Sequence, residues 1–254
     1  MHMNVLSLLL GALLLCPTSL FAQTVEQGAV RMLGANRNME TVIYEPPGSR
    51  PQKSVLLLHT SSGLRDADHR YARRLATEGY LVLVPAFMKA YDISEASRRH
   101  TWSTYGKQIY ADLQSIIETI RQDMKIAKDD IHALGFSNGG HWSALLAARG
   151  DVKSAVSYYG AFSEGGTDRS LSTFRDGVKA DSRPLLILHG ESDAVVNRQY
   201  AAALEEMYRQ KGARVQAQFF DGAGHSFDRQ LGPAANRAAA DEAWRLTLQF
   251  LREH

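Results

Sequence analysis

Residues 131–149 read IHALGFSNGGHWSALLAAR, and this stretch decides the fold. Its first residues form a short, largely apolar run that predicts a buried β-strand. The later residues Trp142, Leu145 and Leu146 recur at helical spacing and are followed by a glycine, which predicts an α-helix. Ser137 therefore lies at a turn between a strand and a helix.

The residues around Ser137 have the pattern of a nucleophile elbow, Gly-x-Ser-x-Gly. Such a turn holds its central residue in a strained backbone conformation, and side chains two residues away on either side would collide with it. Gly135 and Gly139 meet this demand. The motif in this context thus predicts that Ser137 is a nucleophile.

The composition is that of a globular protein. The chain has 254 residues, of which 44% are hydrophobic, so it can bury a full core. It carries 29 Lys and Arg against 27 Asp and Glu, a net charge of +2 with histidine neutral. This balance gives no broad electrostatic reason to expect nucleic acid as a partner. It is compatible with a neutral or a small anionic ligand.

Residues 1–22 predict a signal peptide. They contain no Lys, Arg, Asp or Glu, and an apolar run over residues 5–15 ends before Cys16 and Pro17. A membrane anchor would need about 20 apolar residues, and fewer precede Pro17. We expect a secreted or periplasmic protein without a stable membrane anchor after cleavage, whose mature domain, residues 23–254, has no cysteine.

The mature domain predicts an α/β fold, with a mostly parallel central sheet and helices on both faces, because short apolar runs alternate with amphipathic stretches. Apolar residues at helical spacing mark a long helix through residues 105–120, another before Gly212 and a third at the C-terminus. Residues 86–102 and 161–182 predict irregular loops, and the second is too short for a large lid domain. The predicted strands are residues 40–44, 54–59, 80–85, 130–136, 154–159, 184–189 and 215–220.

A serine hydroxyl is a weak nucleophile, so Ser137 needs a base and an acid that orients the base. Asp193 follows the penultimate predicted strand, and His225 lies in a glycine-rich turn after the last one. The chain order Ser137, Asp193, His225 is the nucleophile, acid, base order of hydrolases that carry their serine on such an elbow. Glu191 and Asp221 are rival acids, but placement after the strand and turn favours Asp193. We expect the other histidines to be structural or solvated: His2, His59, His69, His100, His132, His141, His189 and His254.

Attack of a serine on a carbonyl group also needs N–H donors that stabilise the negative charge that develops on the carbonyl oxygen, the oxyanion. One is predicted to be the backbone N–H of Asn138, the residue after the nucleophile. The second is expected in the loop after an earlier strand, where Ser61 is the first choice and Thr60 the alternative.

These residues resemble the dienelactone hydrolase family of the α/β-hydrolase fold, from about residue 54 to the C-terminus. The resemblance implies hydrolysis of a small-molecule carboxylic ester or lactone, without a metal or an organic cofactor. Its most specific segments are GFSNGG at 135–140, SYYG at 157–160, GESD at 190–193 and GAGHSF at 222–227.

The chain departs from the best-known family members at two positions. They use a cysteine where this chain has Ser137, and they carry a glutamate near the oxyanion loop where it has Thr60. We therefore expect an ordinary serine esterase triad, and general ester hydrolysis rather than the reaction for which the family is named.

The resemblance also implies carboxylate-binding arginines. One lies four residues after the catalytic histidine, at Arg229, and a second falls before the long helix, at Arg98 or Arg99. A guanidinium suits a carboxylate, although surface arginines are as often simply solvated. Trp102 and Tyr105 are candidates for the wall of the acyl pocket, with core packing as the alternative.

Two other readings stay open. A peptidase or an acyltransferase would use the same three residues, since a triad specifies acyl transfer but not the acceptor. A non-catalytic binding protein of the same fold is the hypothesis from another class, and the intact triad argues against it.

Overall fold

The computed structural model describes residues 28–48, 50–163 and 171–254. The predicted signal peptide, residues 1–22, lies outside the described residues. Among those described, no helix combines the length and the apolar character that crossing a membrane requires.

Eight strands form one sheet in the order β1-β2-β4-β3-β5-β6-β7-β8. β2 is antiparallel to both β1 and β4, and all other neighbours are parallel. The predicted mostly parallel α/β-hydrolase sheet is confirmed, with most strand ends within one residue of the prediction. The strands are β1 (Val30–Leu33), β2 (Met39–Tyr44), β3 (Lys53–Leu58), β4 (Tyr80–Pro85), β5 (Ile131–Phe136), β6 (Ser154–Tyr158), β7 (Leu185–Gly190) and β8 (Val215–Phe220).

Helices cover both faces of the sheet. α1 and α8 pack on one face, and α4, α5 and α7 pack on the other. Successive residues of β3 point alternately into these two layers, as the pleat of a strand buried on both faces requires. The α-helices are α1 (Asp66–Thr77), α2 (Phe87–Ala90), α3 (His100–Ser103), α4 (Gly106–Gln122), α5 (Asn138–Ala148), α6 (Ser172–Arg175), α7 (Gln199–Gln210) and α8 (Ala234–Glu253).

The structure differs from the sequence predictions in three places. The edge strand β1 has no counterpart among the predicted strands, because its four residues, three of them apolar, are too few to show a period. The two stretches predicted as irregular both contain short helices: residues 86–102 include α2 and the beginning of α3, and residues 161–182 include α6. These short helices are stabilised by packing against the rest of the domain rather than by their own length.

The centre of the sheet positions the site. β5 is buried throughout and lies between β3 and β6. α5, which follows it, is buried on all sides. The carboxyl ends of β3, β5, β6, β7 and β8 therefore meet at one edge, where ligands of open α/β sheets bind.

Candidate active site

Ser137 has the strained backbone that the motif predicts. Its φ of 51° and ψ of −108° lie outside the regions that a side chain ordinarily adopts. Two hydrogen bonds hold the turn: Ser137 N–H donates to the Tyr158 carbonyl at 2.9 Å, and the Ser137 carbonyl accepts from the Ala161 N–H at 2.9 Å. The side chain lies at the carboxyl edge of the sheet and is 8% exposed.

The two glycines of the motif are required by contacts with backbone atoms. A Cβ on Gly135 would lie 2.0 Å from the Gly139 carbonyl oxygen. A Cβ on Gly139 would lie 2.0 Å from the carbonyl oxygen of Leu58 at the end of β3. The turn can close on itself because position 135 lacks a side chain, and it can pack against β3 because position 139 lacks one.

His225 and Asp193 are brought together from the turns after β8 and β7. His225 Nδ1 lies 2.7 Å from Asp193 Oδ2, and the Asp193 side chain is fully buried. A carboxylate only accepts, so Nδ1 carries the hydrogen and the neutral ring keeps its lone pair on Nε2. Within the described residues, no hydrogen bond engages Nε2. Glu191 and Asp221, the rival acids, are both exposed.

Asp193 is surrounded by donors. Its Oδ1 accepts the N–H groups of Val195 and Val196, each at 2.8 Å. His189 Nε2 lies 3.3 Å from Oδ2 and 3.0 Å from the Val196 carbonyl oxygen. Burial alone would raise the pKa of Asp193, but hydrogen bonds from His189 and His225 hold that pKa well below its usual range. Asp193 therefore stays ionised beside His225.

His189 is a site residue that the sequence analysis missed, since it was expected to be structural or solvated. It ends β7 in the segment His-Gly-Glu-Ser-Asp and lies four residues before Asp193. That spacing is a signal for contact within a helix, and here a tight turn produces the contact instead.

Tyr159, in the segment SYYG at 157–160, is a second residue to which the sequence analysis assigned no role. It follows β6, has a φ of 38°, and packs its ring against His225 with the centroids 4.6 Å apart. Its hydroxyl donates to the Asp228 carboxylate. Because the preceding Tyr158 accepts the N–H of Ser137, the 158–159 segment adjoins both the serine and the histidine.

The predicted oxyanion donors lie side by side. Asn138 Nδ2 donates to Ser61 Oγ at 3.2 Å, so the loop after β3 is joined to the first turn of α5. Among the described residues, no acceptor takes the backbone N–H of Asn138 or of Ser61. The backbone N–H of Thr60, the alternative, also has no acceptor among these residues, while its carbonyl and hydroxyl oxygens accept N–H groups of its own turn, so the structure does not separate the two candidates.

The predicted substrate-binding residues are more dispersed. Arg229 is half-buried in a cleft of about 690 Å³ that it shares with Arg65, Arg70 and Glu95. Arg99 is exposed in the loop before α3. Trp102, on α3, is half-buried and packs its ring against His141, with the centroids 5.7 Å apart.

Metal ligands do not cluster in the part of the chain that the structure describes: no group of three or more His, Cys, Asp or Glu side chains is arranged to hold an ion. The assembled groups are instead a strained serine, an imidazole with an ionised partner, and two free backbone donors. This set is suited to nucleophilic acyl transfer.

Comparisons with known proteins agree with this chemistry. Residues 39–254 match the profile of the dienelactone hydrolase family. A protein of Escherichia coli K12, assigned as a carboxymethylenebutenolidase, is 24% identical over 226 residues, 81% of each chain. A Bradyrhizobium protein assigned as a 2-oxo-3-(5-oxofuran-2-ylidene)propanoate lactonase is 26% identical over 149 residues, 58% of this chain and 60% of its own.

Solved structures show the same fold. A Klebsiella pneumoniae protein assigned as a dienelactone hydrolase superimposes with a TM-score of 0.76 at 20% identity, covering 91% of this chain and 99% of its own. Thermogutta terrifontis esterase 2 does so with a TM-score of 0.70 at 19% identity, covering 91% and 95%.

Proposed function

This chain belongs to the dienelactone hydrolase family and is a carboxylic ester hydrolase, and we propose that it cleaves small esters or lactones through an acyl-Ser137 intermediate. The observation that carries the proposal is the 2.7 Å bond between His225 Nδ1 and Asp193 Oδ2. It leaves Nε2 as a base at the sheet edge that also presents Ser137.

The first half of the reaction acylates the serine. His225 Nε2 takes the proton of Ser137 Oγ as this oxygen attacks the ester carbonyl, and the buried Asp193 carboxylate stabilises the imidazolium. The carbonyl oxygen becomes an oxyanion that accepts the N–H groups of Asn138 and Ser61. Collapse of this intermediate breaks the bond to the alcohol, which leaves with the proton from His225.

The second half releases the acid. His225 takes a proton from a water molecule, whose oxygen attacks the acyl carbon, and the same two N–H groups hold the new oxyanion. Ser137 then leaves with the proton from His225. With serine at position 137 and threonine at position 60, the resting site needs no further acid to control the nucleophile.

The test is ester hydrolysis by Asp193→Asn, with Asp176→Asn, an exposed aspartate, as the matched control. We expect kcat to fall about 10³- to 10⁴-fold in Asp193→Asn, because the amide supports the wrong histidine tautomer. The control should match wild type. Equal activity of Asp193→Asn and wild type would reject the proposed triad.

We further propose that the substrate carries an anionic group recognised by Arg229. The cleft of Arg229 holds two more arginines, Arg65 and Arg70, against Asp66 and Glu95. A guanidinium binds a carboxylate through paired hydrogen bonds. The exposed Arg99 and the half-buried Trp102 remain candidates for the other side of the substrate.

Selectivity between esters distinguishes an Arg229 that binds a substrate carboxylate from an Arg229 that is only solvated. For Arg229→Ala, kcat/KM should fall about 10-fold or more on a carboxylate-bearing ester and stay within about twofold on its neutral analogue. Arg237→Ala, an exposed arginine on α8, is the control. An unchanged ratio of the two kcat/KM values would remove the carboxylate subsite.

For localisation we propose export, supported by the uncharged, apolar composition of residues 1–22. The mass of the N-terminal peptide of protein recovered from the periplasm or the medium tests it. We expect a mature chain that begins after Ala22, and an intact Met1 on cytoplasmic protein would overturn it.

A further inference from the structure

The Asn138 side chain joins three parts of the site. It is fully buried, and its Nδ2 donates to Ser61 Oγ at 3.2 Å and to Thr101 Oγ1 at 3.1 Å. Its Oδ1 accepts the indole N–H of Trp142 at 3.1 Å. Because an indole nitrogen only donates, this bond fixes which end of the amide faces Trp142. Both amide N–H groups and the oxygen are therefore in use.

The contact with Ser61 concerns the oxyanion hole. Asn138 carries one proposed donor on its own backbone, and its side chain holds the loop that carries the other, at Ser61. Donors must lie about 2.7–3.1 Å from the oxyanion to be effective, so a loop displaced by a few tenths of an ångström loses stabilising energy. Gly139 N–H supports the same junction by donating to the His59 carbonyl at 3.1 Å.

The contact with Thr101 joins Asn138 to α3. Thr101 is fully buried on α3, and its hydroxyl donates to the Arg98 carbonyl at 2.6 Å while it accepts from Asn138. α3 also carries Trp102, a candidate for the substrate wall. α3 has only four residues, so contacts of this kind rather than its own backbone bonds hold it in place.

We propose that the Asn138 side chain is a positioning residue that sets the distance between the two oxyanion donors and couples them to α3. The inference rests on the proposed acyl-serine reaction. It adds that an amide at position 138 acts on the transition state through Ser61 and Thr101, without touching the substrate itself.

The hydrogen bonds from the Asn138 amide to Ser61 and Thr101 can be removed one at a time. Ser61→Ala deletes one acceptor and keeps the Ser61 backbone N–H, and Thr101→Val deletes the other with little change of shape. Ser103→Ala and Thr104→Val, exposed positions at the end of α3, are the matched controls. For each protein we would measure kcat, KM, the melting temperature and the inhibition constant of a trifluoromethyl ketone, which forms a tetrahedral oxyanion on serine.

We expect kcat to fall about 5- to 50-fold in Ser61→Ala and Thr101→Val, with KM within about twofold. The trifluoromethyl ketone should bind more weakly by the same factor as kcat/KM, a change that a merely structural role would not produce. The controls should match wild type.

Unchanged kcat in both variants, or a loss of activity with unchanged inhibitor binding, would overturn the inference while leaving the proposed function intact. A folded wild-type protein that neither hydrolyses esters nor binds the ketone would overturn both.

Discussion

Ser137 shows how much of the site is set by a single residue and its glycine neighbours. Its positive φ is unfavourable for a residue with a side chain, so the surrounding contacts must hold it. They are short and specific: the Tyr158 carbonyl accepts the Ser137 N–H, and the Ala161 N–H donates to the Ser137 carbonyl. The strained turn places Ser137 at the carboxyl edge of the sheet, where the turns that carry Asp193 and His225 also lie.

Gly139→Ala tests this packing at the residue scale. A Cβ there would meet backbone atoms of Leu58 at 2.0 and 2.4 Å, which no side-chain rotation relieves. We expect the free energy of unfolding, from urea titration, to fall by about 3 kcal/mol or more. Gly106→Ala, whose Cβ would find its nearest neighbour at 3.4 Å, should stay within about 1 kcal/mol of wild type. Similar losses in both would contradict the packing argument.

Among the elements, α1 carries a buried carboxylate close to the candidate substrate cleft. Asp68 is 3% exposed and accepts the N–H of Arg65 at 2.8 Å. Burial raises the pKa of Asp68 to about 6, although the Arg65 N–H and the charge of Arg229 oppose the rise. The helix therefore begins with an acid that the fold prefers protonated.

Asp68→Asn should reveal this preference as a pH dependence. The folded-state pKa is raised, so the wild type binds a proton more tightly when folded and loses stability as the pH rises from about 4 to about 6. The loss is at most about 3 kcal/mol. Relative to wild type, the variant should gain stability across this range in urea titrations.

Asp66→Asn, an exposed acid of the same helical turn, is the control and should show no such gain. A stability difference between Asp68→Asn and wild type that stays constant from pH 4 to pH 7 would contradict the raised pKa.

For the whole molecule, one sheet is shared by two helical layers. Trp142 is buried in the layer of α4 and α5, and Trp102 packs against the apolar cluster of the same layer. Trp244 packs in the layer of α1 and α8, under the Arg74 guanidinium at 3.9 Å. Each layer has its own apolar cluster, but the strands of the central sheet contribute side chains to both clusters, so both layers depend on the same sheet.

Cooperative unfolding should follow. The double variant Trp102→Phe/Trp142→Phe reports on Trp244 alone, and Trp244→Phe reports on the other two tryptophans. In each variant, the urea midpoint from fluorescence should equal the midpoint from far-UV circular dichroism of the same protein. Two midpoints within one variant would show that the layers unfold independently.

At this scale, the sequence predicts what depends on local pattern. The run of β5, the spacing in α5 and the order of Ser137, Asp193 and His225 are local features, and the fold and family follow from them. β1 escapes prediction because its four residues, although three are apolar, are too few to show a period.

The contacts of His189, Tyr159 and the Asn138 amide also escape prediction. Tyr159 and Asn138 contact residues on other segments of the chain, whose meeting depends on the tertiary arrangement of the sheet edge, whereas His189 and Asp193 meet across the tight turn after β7.

Reaction with a fluorophosphonate, followed by intact mass and peptide mapping, tests the central claim most directly. Wild type should gain one adduct, located on Ser137, because this serine lies on the elbow at the sheet edge where His225 and Asp193 meet. Ser137→Ala should gain none, and His225→Ala should react more slowly by orders of magnitude. Equal labelling of wild type and Ser137→Ala, or a folded wild type that stays unlabelled, would contradict the acyl-serine mechanism and favour a non-catalytic binding protein.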